Sequence, residues 1–379
     1  MSGSLFQPFA IEQYMSENEH AVKYHFAESG VHPLTYAELF ELASIDTNSL
    51  FATLVDYPQV NGIQSLREKI ATMYDGTTAE NILVTIGASE ANTLVAATML
   101  NPGDNMVRFR PTYEQLSGNA SNLGFEVRSV DMIESDDWAL DTDALKQAVD
   151  DRTSIIHVVN PNNPTGRILS QSDRDAVIAA AASCGAWIVA DEVYTGTERD
   201  SDEPTASFWG DYDRVIAINS MSKAYGLPGL RLGWLVAPMP VIEDCWRRHE
   251  YATIAATMFS MKLADAALGE RAREKLRARA RTLIRRGFET FTAALGEYPG
   301  VFSVAPPQAS AMSFVKFDLP VKSDEFARRL LKEEDVLVIP GSRFGVEDHF
   351  RFSSALLEDH LTAGLSRFNS LVGRILAEK

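Results

Sequence analysis

The chain has 379 residues, of which 45% are hydrophobic and 23% charged, a balance typical of a soluble globular protein. Lys plus Arg number 35 and Asp plus Glu number 52, so the formal net charge of −17 argues against nucleic acid or an anionic membrane as a partner. The two cysteines offer neither a disulfide framework nor a metal-binding spacing, and the histidines are scattered, so no metal site is predicted. We see no signal peptide and no bilayer-spanning run, and therefore expect a cytoplasmic protein.

Apolar, strand-like runs alternate with helical patterns from about residue 50 to residue 236. This alternation predicts an α/β fold with a mostly parallel seven-stranded sheet between helices, in which ligands bind beyond the carboxyl ends of the strands. The predicted strands are Ile82–Ile86, Met106–Phe109, Phe125–Met132, Ser154–Val159, Ala186–Ala190, Val215–Ile218 and Trp234–Ala237. Helical patterns between them include Ile63–Met73, Glu90–Leu100, Thr142–Asp150 and Gln171–Cys184.

The C-terminal third of the chain shows a different pattern of predicted elements. A long helical pattern covers Met258–Leu295, and its basic run is predicted to be a solvated helix face rather than a nucleic-acid patch. A smaller α/β unit follows, with predicted strands and helices at Met312–Phe317, Ser323–Glu334, Val336–Val338, Phe350–Ser353 and from Glu358 onward. The predicted domains are a segment 1–45 that packs on the small domain, a large domain 46–285 and a small domain 286–379.

A hydroxyl-rich turn that ends in a lysine follows the strand-like run Val215–Ile218. Lys223, just past a buried strand, is expected in a mostly apolar site, where desolvation favours the uncharged amine that can form a Schiff base. Ser220, Ser222 and Arg231 are the residue types that hold a phosphate. Few cofactors need both a lysine and a phosphate site, and pyridoxal 5'-phosphate (PLP), an aldehyde that carries a phosphate, is one of them.

This stretch resembles the lysine segment of the class I/II aminotransferases, which are fold type I PLP-dependent enzymes. The strings SMSK and GLPGLRLG match the family patterns S-x-S-K and G-x-x-G-x-R-x-G. The resemblance spans roughly residues 50–355, and its motifs follow the family's order. It implies a large PLP-binding domain, with the cofactor bonded to Lys223 and its phosphate held by Ser220, Ser222 and Arg231.

Two further strand ends fit the same cofactor. The sequence Gly87-Ala88-Ser89-Glu90 follows a predicted strand and opens a helix, whose unpaired N–H groups favour an anion. Ala88 and Ser89 are therefore predicted to bind the phosphate, mainly through the backbone. Asp191 ends a buried strand, and a carboxylate placed there needs a partner such as a protonated pyridine nitrogen. That pairing would make the cofactor ring a stronger electron sink.

The resemblance assigns roles to five more positions. Tyr113, in the string PTY, is expected to stack on the pyridine ring, and Tyr194 to hydrogen-bond its O3′ oxygen. Asn163, in the string NPNNPTG, is implied to donate to O3′ and to lie near the substrate carboxylate. Arg351, in FRFS, has the forked guanidinium that suits an α-carboxylate. Tyr57 matches a tyrosine that reaches the cofactor phosphate of the neighbouring subunit, which implies a homodimer.

Two segments depart from the family's patterns. The family usually reads like G-E-P-D-F near the N-terminus, whereas this chain has Glu28-Ser29-Gly30 and continues through His32 to Tyr36. The second departure covers residues 307–312. Both regions line the substrate side in the family, so Gly30 is a candidate substrate-binding residue, and the substrate stays open. His32 and Tyr36 are predicted to pack rather than to touch a substrate.

The predicted function is a PLP-dependent aminotransferase that moves the amino group of an L-amino acid to a 2-oxo acid through a Lys223 Schiff base. Lys223, Asp191 and Tyr194 are the candidate catalytic residues. A PLP-dependent lyase or cyclase of the same fold is the alternative, because the sequence does not dictate the last proton transfer. A non-catalytic PLP sensor is a weaker one, since such regulators carry a DNA-binding domain and the first 50 residues show no helix-turn-helix pattern.

Overall fold

The computed structural model describes residues 6–378. Its strands are β1 (Tyr24–His25), β2 (Ile82–Thr85), β3 (Asn105–Arg110), β4 (Glu126–Asp131), β5 (Thr153–Val159), β6 (Trp187–Asp191), β7 (Val215–Ser220), β8 (Gly233–Val236), β9 (Phe302–Val304), β10 (Met312–Phe317), β11 (Val336–Leu337), β12 (Ile339–Pro340) and β13 (His349–Ser353). Its α-helices are α1 (Ala10–Asn18), α2 (Tyr36–Leu42), α3 (Thr47–Phe51), α4 (Gln64–Ala71), α5 (Gly87–Met99), α6 (Gln115–Asn122), α7 (Thr142–Ala148), α8 (Gln171–Cys184), α9 (Met239–Ala252), α10 (Met258–Ala267), α11 (Glu270–Leu295), α12 (Ser323–Glu334) and α13 (Glu358–Ala377).

The large sheet has seven strands in the order β2-β8-β7-β6-β5-β3-β4. Only β8 runs against the others, paired antiparallel with both β2 and β7. Strands β6 and β7 are buried almost throughout, as expected of central strands that helices cover on both faces. The predicted mostly parallel seven-stranded sheet is therefore confirmed, and each of its strands lies within about two residues of the predicted run.

A smaller antiparallel sheet in the order β12-β13-β10-β9 lies in the C-terminal part of the chain. Helices α11, α12 and α13 enclose its apolar core, in which aromatic rings are prominent. Phe291 and Phe352, for example, stack with their centroids 4.2 Å apart. This sheet carries Arg351 on β13, so its packing sets where that guanidinium lies.

Two predicted elements are divided in the structure. The helical pattern Met258–Leu295 forms two helices, because Gly269 takes a non-helical conformation (ψ 136°) at the start of α11. The run Val336–Val338 is also split. Its first two residues form β11, whereas the chain then enters β12 in the other sheet. Periodicity alone predicts both breaks poorly, since helix-forming residues continue after Gly269 and apolar residues continue after Leu337.

The N-terminal segment contacts both parts of the molecule. Helix α1 buries Ile11 and Met15 in the same cluster as residues of β3, β5 and β6. Strand β1 instead pairs in parallel with β11. Leu39 and Leu50 then pack in a cluster with α4 and β2. The predicted domain boundaries stay a prediction, and residues 1–5 and 379 lie outside the described part. No helix within residues 6–378 is long and apolar enough to cross a membrane.

Candidate active site

A cavity of about 260 Å³ lies at the carboxyl ends of the parallel strands. This is the edge at which parallel α/β sheets place their ligands. Most of the sequence-predicted site residues line it, although they come from six separate segments of the chain. They are Ala88, Ser89, Tyr113, Asp191, Tyr194, Ser220, Ser222, Lys223, Arg231 and Arg351.

One end of the cavity has the features of a phosphate site. Helix α5 begins at Gly87, and its first-turn N–H groups have no partner within the helix. Gly87 has φ +70°, and a Cβ there would lie 2.9 Å from Nη2 of Arg231. Nη1 of Arg231 donates to the carbonyl of Pro228 at 3.1 Å, which orients the guanidinium. With the hydroxyls of Ser220 and Ser222 nearby, the donor set suits a phosphate.

Asp191 lies at the end of β6, almost fully buried in the cavity wall. One carboxylate oxygen accepts from Nδ2 of Asn92 at 3.3 Å, and the other accepts from the backbone N–H of Val193 at 3.3 Å. Burial raises the pKa of Asp191 to about 6, against the opposing effect of these donors and of Lys223. A cationic ring nitrogen beside this carboxylate would compensate the cost of burying its charge.

Lys223 follows the turn after β7 and points into the same cavity. Its Nζ donates to Oγ of Ser29 at 2.8 Å, a contact between residues 194 positions apart. Gly30 lies directly on the lysine, because a Cβ at that position would be 3.2 Å from the carbonyl of Ser222 and 3.6 Å from Cδ of Lys223. The segment that departs from the family pattern therefore covers the candidate catalytic amine.

Arg351, Asn163 and Tyr194 form a buried hydrogen-bonded row. Nη1 of Arg351 donates to Oδ1 of Asn163 at 2.9 Å, and Nδ2 of Asn163 donates to the hydroxyl of Tyr194 at 3.0 Å. Nη2 of Arg351 donates to the carbonyl of Ala27 at 2.5 Å. Within residues 6–378 no carboxylate forms an ion pair with Arg351, although only 2% of that residue is exposed. A buried, unpaired guanidinium in a cavity suits a carboxylate ligand.

Tyr113 lines the cavity with its hydroxyl held by a residue of α1. The hydroxyl donates to Oε1 of Glu12 at 2.7 Å, and the ring contacts Phe9 at 4.9 Å between centroids. Burial, aided by Glu12, raises the pKa of Tyr113 well above its usual range. The hydroxyl therefore stays protonated and remains a donor to Glu12.

Tyr57 lies apart from this cavity in the described chain. It is 81% exposed and contributes to a groove whose other lining residues are largely apolar. His32 and Tyr36 do not line the Lys223 cavity either, and Tyr36 contacts the rings of Phe40 and Phe259. The roles inferred for these residues stay predictions.

Sequence reasoning missed several residues of the cavity wall. The polar ones are Glu12, Glu19, Glu28, Ser29, Asn92 and Gln115. The departure from the family pattern at Glu28 and Ser29 was the only signal, and it pointed to the right segment. Glu12 and Glu19 carry no local signal, because their position depends on how the N-terminal segment folds over the large domain.

A family model described as aminotransferase class I and II matches residues 41–368. The chain belongs to the class I/II aminotransferase family. Its members are PLP-dependent enzymes, and so is this chain. The residues described above fit that cofactor, since a glycine cradle beside Arg231 suits its phosphate and the buried Asp191 suits its ring nitrogen.

Individual relatives of this aminotransferase-family chain carry different names. A capreomycidine synthase from Streptomyces vinaceus is 30% identical over 373 residues, which cover 96% of this chain and 93% of that protein. A PLP-dependent aminotransferase from Streptococcus suis has a similar structure, with a TM-score of 0.92, 30% identity and coverage of 98% of both chains. The PLP-dependent cyclase OrfR has a TM-score of 0.88, 26% identity and coverage of 98% of both chains.

Proposed function

We propose that the protein is an aminotransferase that moves the amino group of an L-amino acid to a 2-oxo acid. One observation carries the proposal: the amine of Lys223, the carboxylate of Asp191 and the guanidinium of Arg351 line one cavity. When bound, PLP supplies an aldehyde that condenses with amines and a ring that draws electrons from the substrate's Cα. The Lys223–Asp191–Arg351 set matches what that chemistry needs from the protein.

Each residue then has a defined task. Arg351, oriented by its hydrogen bond to Asn163, seats the α-carboxylate, which brings the substrate Cα toward Lys223. Asn163 itself is buried beside Arg351 and does not line the cavity. Lys223 is the only amine among the side chains that line the cavity within the described chain, so its Nζ is the base that removes the Cα proton. Asp191 would favour a positive charge on the ring nitrogen of bound PLP, and the hydroxyl of Tyr194, which accepts from Asn163, would donate to its O3′ oxygen.

A lyase or cyclase is the second candidate function. Two relatives that align along nearly the whole chain are named capreomycidine synthase and PLP-dependent cyclase OrfR. Both reactions begin when Lys223 removes the Cα proton. With PLP bound, Nζ of Lys223 would return that proton to the cofactor in transamination, or to the departing group of Cβ or Cγ in elimination. The same residues therefore support either outcome.

The assembly we propose is a homodimer, with Tyr57 reaching the phosphate site of the second subunit. The support is an exposed apolar surface around Tyr57, formed by Phe51, Leu54, Val55 and Ile254 and continued by Phe259. Monomeric soluble proteins rarely expose apolar patches of this kind without a partner.

The test is a set of single-turnover reactions of the PLP-loaded protein with individual L-amino acids. We expect the cofactor absorbance to shift to the amine form, with release of the matching 2-oxo acid and no ammonia. Release of ammonia or a cyclic product, with the aldehyde form restored, would favour the second candidate instead. Borohydride reduction followed by peptide mass analysis should place a phosphopyridoxyl group on Lys223, and Lys223→Ala should lose it.

A further inference from the structure

Three glutamates form an acidic wall in the cavity that holds Lys223 and Arg351. Glu12 comes from α1, and Glu19 and Glu28 come from the segment that leads to Ser29. Ligand atoms of Glu19, His25 and Glu28 lie within 4.8 Å of one another. None of the tasks in the proposed function uses this acidic wall.

The acidic wall lacks cationic partners of its own. Within residues 6–378, none of its carboxylates forms an ion pair with a lysine or an arginine, and only Glu19 contacts histidines. Glu12 accepts the Tyr113 hydroxyl through Oε1, and Glu28 accepts the Ser29 N–H through Oε2 at 3.3 Å. The second oxygen of each carboxylate accepts no hydrogen bond in the described chain. Both side chains are exposed to solvent.

The negative charges of the acidic wall are not balanced by the other charged residues of the cavity. The other charged lining residues are Asp191, Lys223, Arg231 and Arg351. In the proposed function each of these four has a partner: the ring nitrogen, the cofactor aldehyde, the phosphate and the α-carboxylate. The carboxylates of the acidic wall have no such partner in the proposed function.

The charges of the cavity act strongly on the ionisation of Glu28. Burial would raise the pKa of Glu28, but Lys223, His25 and Arg351 together lower it below its usual range. The carboxylate is therefore ionised at neutral pH. When Lys223 is bonded to the cofactor and Arg351 holds a carboxylate, these two side chains attract the Glu28 carboxylate less strongly. A new positive charge near Glu28 would replace them.

Arg351 supplies an independent observation that points to a ligand in this cavity. Its guanidinium is buried and aimed into the cavity, and its Nε makes no hydrogen bond. A substrate whose α-carboxylate sits on Arg351 has the rest of the same cavity for its side chain, and the acidic wall borders that space. The same cavity thus offers a guanidinium for the α-carboxylate and carboxylates for the side chain, as a zwitterion with a cationic side chain requires.

We infer that the substrate is an L-amino acid whose side chain is positively charged, recognised by Glu28 and Glu12. This inference rests on the proposed function, because it assumes that Arg351 binds the α-carboxylate. A guanidinium and an ammonium group are both satisfied by two carboxylates, through paired N–H donors or through a point charge. A neutral side chain of the same size would leave the two carboxylates without a counter-charge.

The test compares L-arginine with L-citrulline, which has a similar shape but a neutral ureido group, and with L-lysine. Affinities for the PLP-loaded protein are measured by calorimetry in a buffer with EDTA, so that no divalent ion screens the carboxylates. We expect arginine or lysine to bind at least about tenfold more tightly than citrulline, a change typical of one charged contact. Equal affinities, or no binding of either cationic amino acid, would overturn the inference.

Variants connect this preference to the acidic wall. Glu28→Gln and Glu12→Gln keep side-chain size and should each shrink the ratio of cation to citrulline affinity several-fold, while citrulline binds as before. Glu17→Gln is the matched control, because Glu17 lies on α1 but does not line the cavity. Unchanged ratios in both cavity variants would refute the assignment.

The single-turnover reactions with individual amino acids, run on the same PLP-loaded protein, separate this inference from the proposed function. If apolar or acidic amino acids yield 2-oxo acids but cationic ones do not bind, the aminotransferase assignment stands and the cationic substrate is excluded. If cationic amino acids bind with the expected preference but no amino acid yields a 2-oxo acid, the aminotransferase assignment fails and the cation site stands.

Discussion

Arg351 is already oriented for a ligand at the scale of the single residue. Its two terminal nitrogens donate to Oδ1 of Asn163 and to the Ala27 carbonyl, and both partners are buried. A guanidinium held at two points loses little side-chain freedom when a carboxylate binds, so less of the binding energy is lost to ordering. This row of contacts joins residues 188 positions apart in the chain.

Arg351→Lys tests that arrangement. Lysine keeps the positive charge but lacks the planar fork, so we expect the KM for the amino donor to rise about tenfold or more while kcat changes less. Saturation of the half-reaction, followed by cofactor absorbance, measures both values. Arg367→Lys on α13 is the control, because that side chain is 59% exposed and its ion pair is with Glu334, away from the cavity. An unchanged KM in Arg351→Lys would contradict this role.

At the scale of elements, the phosphate site depends on how closely β8 approaches the start of α5. Gly233 in β8 has no room for a side chain. A Cβ there would lie 2.5 Å from the carbonyl carbon of Gly87, 2.6 Å from the N atom of Ala88 and 2.9 Å from the Asn219 carbonyl oxygen. These are backbone atoms, so the helix start itself would have to move.

Gly233→Ala is therefore expected to lower both stability and PLP affinity. Overpacking against backbone costs about 1–3 kcal/mol, and the displaced N–H groups of α5 would bind the phosphate less well. Denaturant unfolding and PLP titration of the apo-protein measure the two effects. Gly118→Ala in α6 meets no atom within 4 Å and should be neutral or slightly stabilising. Wild-type behaviour of Gly233→Ala in both assays would refute the close contact.

The whole molecule presents one broad apolar surface away from the Lys223 cavity. Leu54 is 80% exposed and Tyr57 81%, beside Val55 and Phe259. Burial of such side chains is the main favourable term in subunit association. In the proposed homodimer this surface is covered, and Tyr57 completes the neighbouring phosphate site.

Val55→Asp should weaken that homodimer, since it places a charge in the apolar contact. We expect the dimer dissociation constant to rise at least about tenfold, measured by light scattering over a dilution series. Leu123→Asp is the control, because Leu123 is 54% exposed and lies outside the groove around Tyr57. Tyr57→Phe should keep the dimer but reduce PLP affinity. A wild-type protein that remains monomeric at all concentrations would exclude the homodimer.

The large sheet and most of the cofactor site were predictable from the sequence for a local reason. Buried parallel strands are short, continuous apolar runs, and the residues just after them reach one edge of the sheet. The order of runs and turns along the chain is therefore enough to place Lys223, Asp191, Asn163 and Gly87 near one another. Their motifs also resemble those of the class I/II aminotransferases, and that resemblance indicates a PLP site.

Only the tertiary structure shows which side chains lie opposite those cofactor-site residues in the cavity. Glu12 and Glu28 carry no periodicity or turn signal that indicates an active site, yet they line the cavity with Lys223 and Arg351. Ser29 contacts Lys223 across 194 positions because β1 pairs with β11 and carries the following residues over the cavity. Such contacts result from packing between distant segments, and no local pattern encodes them. Local sequence patterns therefore predict the cofactor site, whereas the charge of the substrate pocket is determined only when the distant segments pack together.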